Sequence, residues 1–218
     1  MRALARCAPL LALPAVAVAC PTCPAGVRAQ VVDGIWATAG VGAAAITLPV
    51  VAWVIAAIIA WKVTGRRRMP SHPALLAGAV FGMGMIGLLD GLFLHHIMQW
   101  HQLISGRLAP DNLVAAKVNM FWDGLFHAGM WTAVATGGVL LARTVRQWGD
   151  RRNALAGAFI GAGGFNLLDG LISHQLFAFH RTIDGTVLPD YVYLAVAALM
   201  LAIGWFSRYR PTATTAPT

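Results

Sequence analysis

Glutamate is absent from this 218-residue chain, and charge of either sign is scarce, at 11% of residues against 58% apolar ones. An ordinary soluble domain carries about 25% charged residues, so the composition excludes that class and indicates lipid. The lack of Glu also removes any His-Glu-x-x-His metalloprotease helix. All eight acidic groups are aspartates. Asp90, Asp123 and Asp169 stand inside long apolar stretches, where charge is costly and usually functional.

The net charge of +8 raises the question of nucleic acid. The basic residues, however, fall in short clusters between hydrophobic segments rather than along one face, so nucleic acid is not an expected partner. Residues 1–19 carry Arg2 and Arg6, an apolar stretch and Ala17-Val18-Ala19 before Cys20, the pattern of a signal peptide. Cleavage there leaves Cys20 as the N-terminus, open to lipidation.

Five transmembrane helices are expected after signal removal, at about Ile35–Trp61, Pro73–Trp100, Asn112–Leu141, Ala154–Phe179 and Tyr191–Phe206. The first belongs to a segment over 20–70 and the other four to a membrane domain over 71–210, with 211–218 a disordered tail. Lys62 and Arg66 to Arg68 follow the first span, Arg143, Arg146, Arg151 and Arg152 the third, and Arg208 and Arg210 the fifth. By the positive-inside rule these ends are cytoplasmic. The expected location is a bacterial inner membrane, with the N-terminus outside and loops 102–111 and 181–190 facing outward.

The second span's pattern, Leu76-Ala-Gly78 through Gly82, Gly84, Asp90, His95 and His101, recurs 79 positions later as Gly157, Gly161, Gly163, Asp169, His174 and His180. Pro110-Asp111 returns as Pro189-Asp190, where Asp can cap a helix. The fold class is therefore an all-α polytopic bundle with a duplicated helical hairpin, its copies related by a pseudo-twofold along the membrane normal. On this register Ala198, Ala202 and Phe206 replace Asn119, Asp123 and His127, and the duplicated site is asymmetric. Gly78/Gly82, Gly87/Gly91 and Gly157/Gly161 are spaced for close helix approach.

Along straight helices at about 1.5 Å per residue, Asp90, Asp169 and His127 share a level about 22–25 Å above the cytoplasmic ends, with His95, His174 and Asp123 at about 30–33 Å. Asn119, Asp123 and His127 form one polar stripe, which must face protein or water. Asp90 and His101 are nearly in phase, and His95 projects elsewhere. Imidazoles and carboxylates together suit zinc, copper or non-haem iron. An upper metal layer of His95, His174 and Asp123 and a lower one of His127, Asp90 and Asp169 are expected, the alternatives being an Asp–His hydrogen-bond network or a proton path. His101 and His180 are further candidate ligands. His96 and Gln99 are weaker candidates that, like His101 and His180, stand near the water interface, where polarity also suits the headgroups; His72 is on the opposite side, and Met120 and Met130, which could offer sulfur to copper, are read as packing residues. Cys20-Pro-Thr-Cys23 suits thiol–disulfide chemistry, soft-metal capture or a structural disulfide.

The segments Leu89-Asp-Gly-Leu-Phe-Leu-His-His-Ile-Met-Gln-Trp-His101, Asn119-Met-Phe-Trp-Asp-Gly-Leu-Phe-His127 and Phe165-Asn-Leu-Leu-Asp-Gly-Leu-Ile-Ser-His174 resemble bacterial predicted membrane proteins grouped as domain of unknown function 2243. The resemblance covers about residues 73–207, with residues 1–70 an extension. It implies an integral membrane protein and an association with respiratory-oxidase or copper-handling proteins. The function expected is a periplasm-facing metal-binding membrane protein, with copper slightly ahead of zinc. A metal-dependent enzyme and a proton or ion conduit are the alternatives.

Overall fold

The computed structural model describes residues 20–68 and 73–208. The expected signal peptide over 1–19, His72 and the expected tail over 211–218 lie outside them. The described chain is helical: α1 (Ala25–Ala37), α2 (Ala39–Arg68), α3 (Pro73–Asp90), α4 (Leu113–Thr144), α5 (Trp148–Asp169) and α6 (Leu188–Ser207). Five stretches are long and apolar enough to span a membrane: Ala39–Ile59, Pro73–Ile97, Leu113–Thr144, Trp148–Leu176 and Leu188–Ser207. The chain is an all-α polytopic bundle.

The stretch before the first span is itself a helix. In α1, Val31 and Ile35 are buried, and a Cβ on Gly34 would stand 2.7 Å from Val118 Cγ2 of α4. Thr38 separates α1 from α2 and accepts a hydrogen bond from Trp122 Nε1 at 2.9 Å. Trp53 of α2 reaches Gly164 of α5, so the N-terminal extension is packed onto the repeats. Val51, Val54, Ile55, Ile58 and Ile59 remain exposed, as a lipid-facing surface requires.

Glycine sets the distance between the two repeats. A Cβ on Gly78 or Gly82 would lie 2.0 Å from the carbonyl oxygens of Ala154 or Ala158, and one on Gly157 or Gly161 would lie 2.1 or 1.9 Å from those of Leu75 or Ala79. These contacts are reciprocal under the 79-residue shift and run in the same order along both helices. Hence α3 and α5 are parallel, backbone against backbone, and related by a pseudo-twofold. Gly87 and Gly91 instead face α4, against Met130 and His127.

The return helices α4 and α6 obey a different shift. Gly84 meets Met130 and Val134, while its equivalent Gly163 meets Ala197 and Leu201; Phe81 meets Gly137, while Ile160 meets Gly204. All three pairs are 67 positions apart, so the second copy is twelve residues shorter between His180 and Asp190 than the first is between His101 and Asp123, in the loop and the first turns of the return helix. Asp190 therefore takes the place of Asp123, and Leu194 that of His127. The expected replacement by Ala198, Ala202 and Phe206 is corrected. The expected aspartate caps are corrected too. Asn112 caps α4 through Ala115 N at 3.0 Å, and α6 starts from Val187 with no side-chain cap.

Candidate metal centre

At the ends of α3 and α5 the α-helix widens into π-helical turns, Gly91–Ile97 and Gly170–Leu176. In an α-helix Asp90 and His95 would point about 140° apart. A π turn closes i→i+5 hydrogen bonds and brings residues five apart onto one side. Asp90 Oδ2 thus stands 3.4 Å from His95 Nε2, and Asp169 Oδ2 stands 3.6 Å from His174 Nε2. This corrects the straight-helix expectation that His95 projects elsewhere, and the two-layer arrangement with it. Each turn ends in an equivalent residue of left-handed backbone, Gln99 (φ 52°) and Ala178 (φ 46°). The chain then doubles back and returns His101 and His180 over the turn.

Two triads result, Asp90–His95–His101 and Asp169–His174–His180, each with one ligand atom per residue mutually within 4.8 Å. The triads are adjacent. Ring centroids run His95–His101 4.5 Å, His101–His180 4.6 Å and His180–His174 4.6 Å, with the central pair stacked 5° from parallel. All four rings are no more than 2% exposed.

Each imidazole is held from behind through Nδ1. His95 Nδ1 is 2.9 Å from Asp123 Oδ1, and His174 Nδ1 is 3.0 Å from Asp190 Oδ1. The same carboxylate oxygens accept from Leu103 N at 2.8 Å and Thr182 N at 2.7 Å. Those two residues in turn present their carbonyls crosswise, Thr182 O to His101 Nδ1 and Leu103 O to His180 Nδ1, both at 2.9 Å. An acceptor at Nδ1 places the proton there and leaves the lone pair on Nε2. The Nε2 atoms of His95, His101 and His180 are buried without a hydrogen-bond partner among the described residues. Burial pushes His101 well below the ordinary imidazole range and His180 down to about 4. Both rings are neutral at neutral pH, the form that ligates metal.

The structure thus brings together Asp90, His95, Asp169 and His174 with His101 and His180. Asp123 sits behind His95, on the opposite ring nitrogen from Asp90. Asn119, fully buried, donates to Leu108 O at 2.8 Å and Ala115 O at 3.1 Å, tying the loop to α4. His127 lies beside the first triad, its ring 6.2 Å from that of His95 and its Nδ1 3.4 Å from His96 Nε2. Cys20 and Cys23 form a disulfide.

The halves differ in polarity. Asp190 also pairs with Arg181 at 2.8 Å, whereas the equivalent residue of the first half is Gln102, and Asp123 Oδ2 is buried without a hydrogen-bond partner among the described residues. Ser173 donates to Asp169 Oδ1 at 2.7 Å, where the first half has Leu94. Phe126 and Tyr193, equivalent under the 67-residue shift, stack on His95 and His174. Sequence reasoning missed Asp190 as the partner of His174. The signal was present: Asp123-x-x-Phe126 and Asp190-x-x-Tyr193 are each followed by a glycine, Gly137 and Gly204, fourteen positions after the aspartate.

The family model described as "Predicted membrane protein (DUF2243)" matches residues 77–210. No curated protein and no solved structure matches the chain.

Proposed function

The chain belongs to the DUF2243 family of predicted membrane proteins, and we propose that it is a metal-binding membrane protein holding one transition-metal ion in each triad. The observation that carries this reading is the Nε2–Oδ2 separation, 3.4 Å in the first triad and 3.6 Å in the second. A charged hydrogen bond between these groups would bring them to about 2.7–2.9 Å. Two ligands each about 2.1 Å from zinc at the tetrahedral angle stand about 3.4 Å apart. The spacing fits an ion between the atoms better than a proton.

Charge supports the same reading. Asp90, Asp123, Asp169 and Asp190 converge here with Arg181 as the one guanidinium paired to them among the described residues. Carboxylates in a low-dielectric site call for cations. The donors are nitrogen and oxygen with no sulfur, which suits zinc, iron or copper(II) and disfavours copper(I). Two imidazoles and one carboxylate per ion is also the donor set of non-haem iron sites. Handling of copper(I), or its delivery to a respiratory oxidase, would rest on Cys20 and Cys23 after reduction of their disulfide. The Arg-rich loops support an outward-facing centre.

Elemental analysis of detergent-purified protein never exposed to chelator tests the proposal. Two equivalents of metal in the wild type, falling in a His101→Ala/His180→Ala variant, are expected. A metal-free wild type would leave the Asp–His network as structural. A second reading, a metal-dependent enzyme, is favoured by the count of three protein ligands per ion, which leaves coordination positions for water or substrate. A spectral change when azide is added to cobalt-substituted protein would support it, and an unresponsive spectrum would remove it.

A further inference from the structure

Only the first half carries a second pair of imidazoles. His96 Nε2 lies 3.4 Å from His127 Nδ1, with ring centroids 4.9 Å apart. That distance is at the long end of the hydrogen-bond range. It matches the edge of about 3.4 Å between two nitrogens on one tetrahedral zinc ion. His96 is exposed and His127 half-buried. His127 Nε2 points inward against Gly91, on the turn that joins Asp90 to His95, and is buried without a hydrogen-bond partner among the described residues.

The architecture of the repeat does not need this pair. In the second half His96 is replaced by Gln175 and His127 by Leu194, which covers Gly170 as His127 covers Gly91. The turn, the triad and the helix contacts form there without it. In the first half the two imidazoles reach from the surface of the bundle to the edge of the triad.

We propose that His96 and His127 form a labile loading station for a divalent transition metal, which captures the ion at the exposed surface and passes it to Asp90, His95 and His101. This rests on the metal reading above. Two protein ligands bind an ion weakly enough to release it, and three hold it. Loading is a ligand exchange in which His127 lies next to the acceptor triad. The second half, with Gln175 and Leu194, lacks such a station.

The test uses full-length protein stripped of metal in detergent, with cobalt(II) as the probe, followed by its visible absorption. The variants are His96→Gln and His96→Gln/His127→Leu, which copy residues the second half already tolerates. The expected result is loading of the first triad slowed by at least about ten-fold, the low end of the cost of removing a supporting metal partner. Final cobalt content retained after gel filtration should be unchanged. Identical loading rates in wild type and both variants would overturn the station while leaving the two-triad reading intact. A wild type that retains no cobalt at all would overturn both.

Discussion

His101 and His180 stack 4.6 Å apart, and each donates its Nδ1 proton to a backbone carbonyl of the loop that follows the other. The two halves are thereby clasped, since neither ring can be oriented without the opposite loop. Gly106 N to Phe179 O at 2.8 Å and Asp184 N to Trp100 O at 3.2 Å extend the clasp along both loops. A centre built this way is cooperative by construction, because loss of one ring disturbs the acceptor that fixes the other.

His101→Ala therefore reaches beyond its own triad. The substitution removes one of the proposed ligands and leaves Thr182 O without its imidazole, a buried unsatisfied group costing about 1–3 kcal/mol. Metal content is expected to fall below one equivalent per chain, with a lower thermal midpoint. His101→Ala protein retaining a full second equivalent would show that the halves bind independently.

Asp123 and Asp190 occupy equivalent places but differ in what else they hold. Asp123→Asn keeps an oxygen for His95 Nδ1 and Leu103 N while removing the charge. Loss of such an outer carboxylate lowers metal affinity by about 10–100-fold, and that is the change expected at the first triad with the fold retained. Asp190→Asn should lower thermal stability as well, because Arg181 then loses its partner. Competition with a chelator of known affinity and a thermal melt of each variant check this pair of outcomes. Equal melting of the two variants would count against the role given to Arg181.

The spans, the duplication and the small-residue helix contact were legible in the sequence because each rests on a periodic or repeated pattern. Gly78, Gly82, Gly157 and Gly161 announced the parallel contact that brings Asp90 and Asp169 together. Two features were not legible. The π turns open at Gly91 and Gly170, which lie against α4 and α6, and counting residues along a straight helix turned His95 away from Asp90. The shortened return helix was hidden by Pro110-Asp111 and Pro189-Asp190, a chance likeness that aligned Asp190 with a loop residue. His101 and His180, placed in the sequence at the water interface, are buried because the left-handed residues Gln99 and Ala178 fold them back.

Helix spacing should control the centre from a distance. Gly82→Ala or Gly161→Ala would put a methyl group about 2 Å from a carbonyl oxygen of the facing helix, a contact relieved only by separating α3 from α5. Both triads are then expected to lose metal, although neither substitution touches a ligand. Gly124→Ala, with nothing within 4 Å of the added carbon, serves as the control and should retain wild-type metal content. Unchanged metal content in all three variants would mean that the bundle tolerates the separation.

Metal removal should also be visible in stability. An ion that binds the folded protein and not the unfolded chain stabilises it by RT ln(1 + [L]/Kd), about 4.1 kcal/mol when free metal is 1,000 times Kd. The expected stabilisation has a local origin, since four carboxylates crowd the site and a bound ion would relieve their repulsion. Chelation is expected to lower the thermal midpoint of the wild type, and added zinc to restore it. The His101→Ala/His180→Ala variant should start near the chelated wild-type midpoint and respond to neither reagent. A wild type whose melting is indifferent to both chelator and zinc would mean that the aspartates and histidines satisfy one another by proton sharing alone.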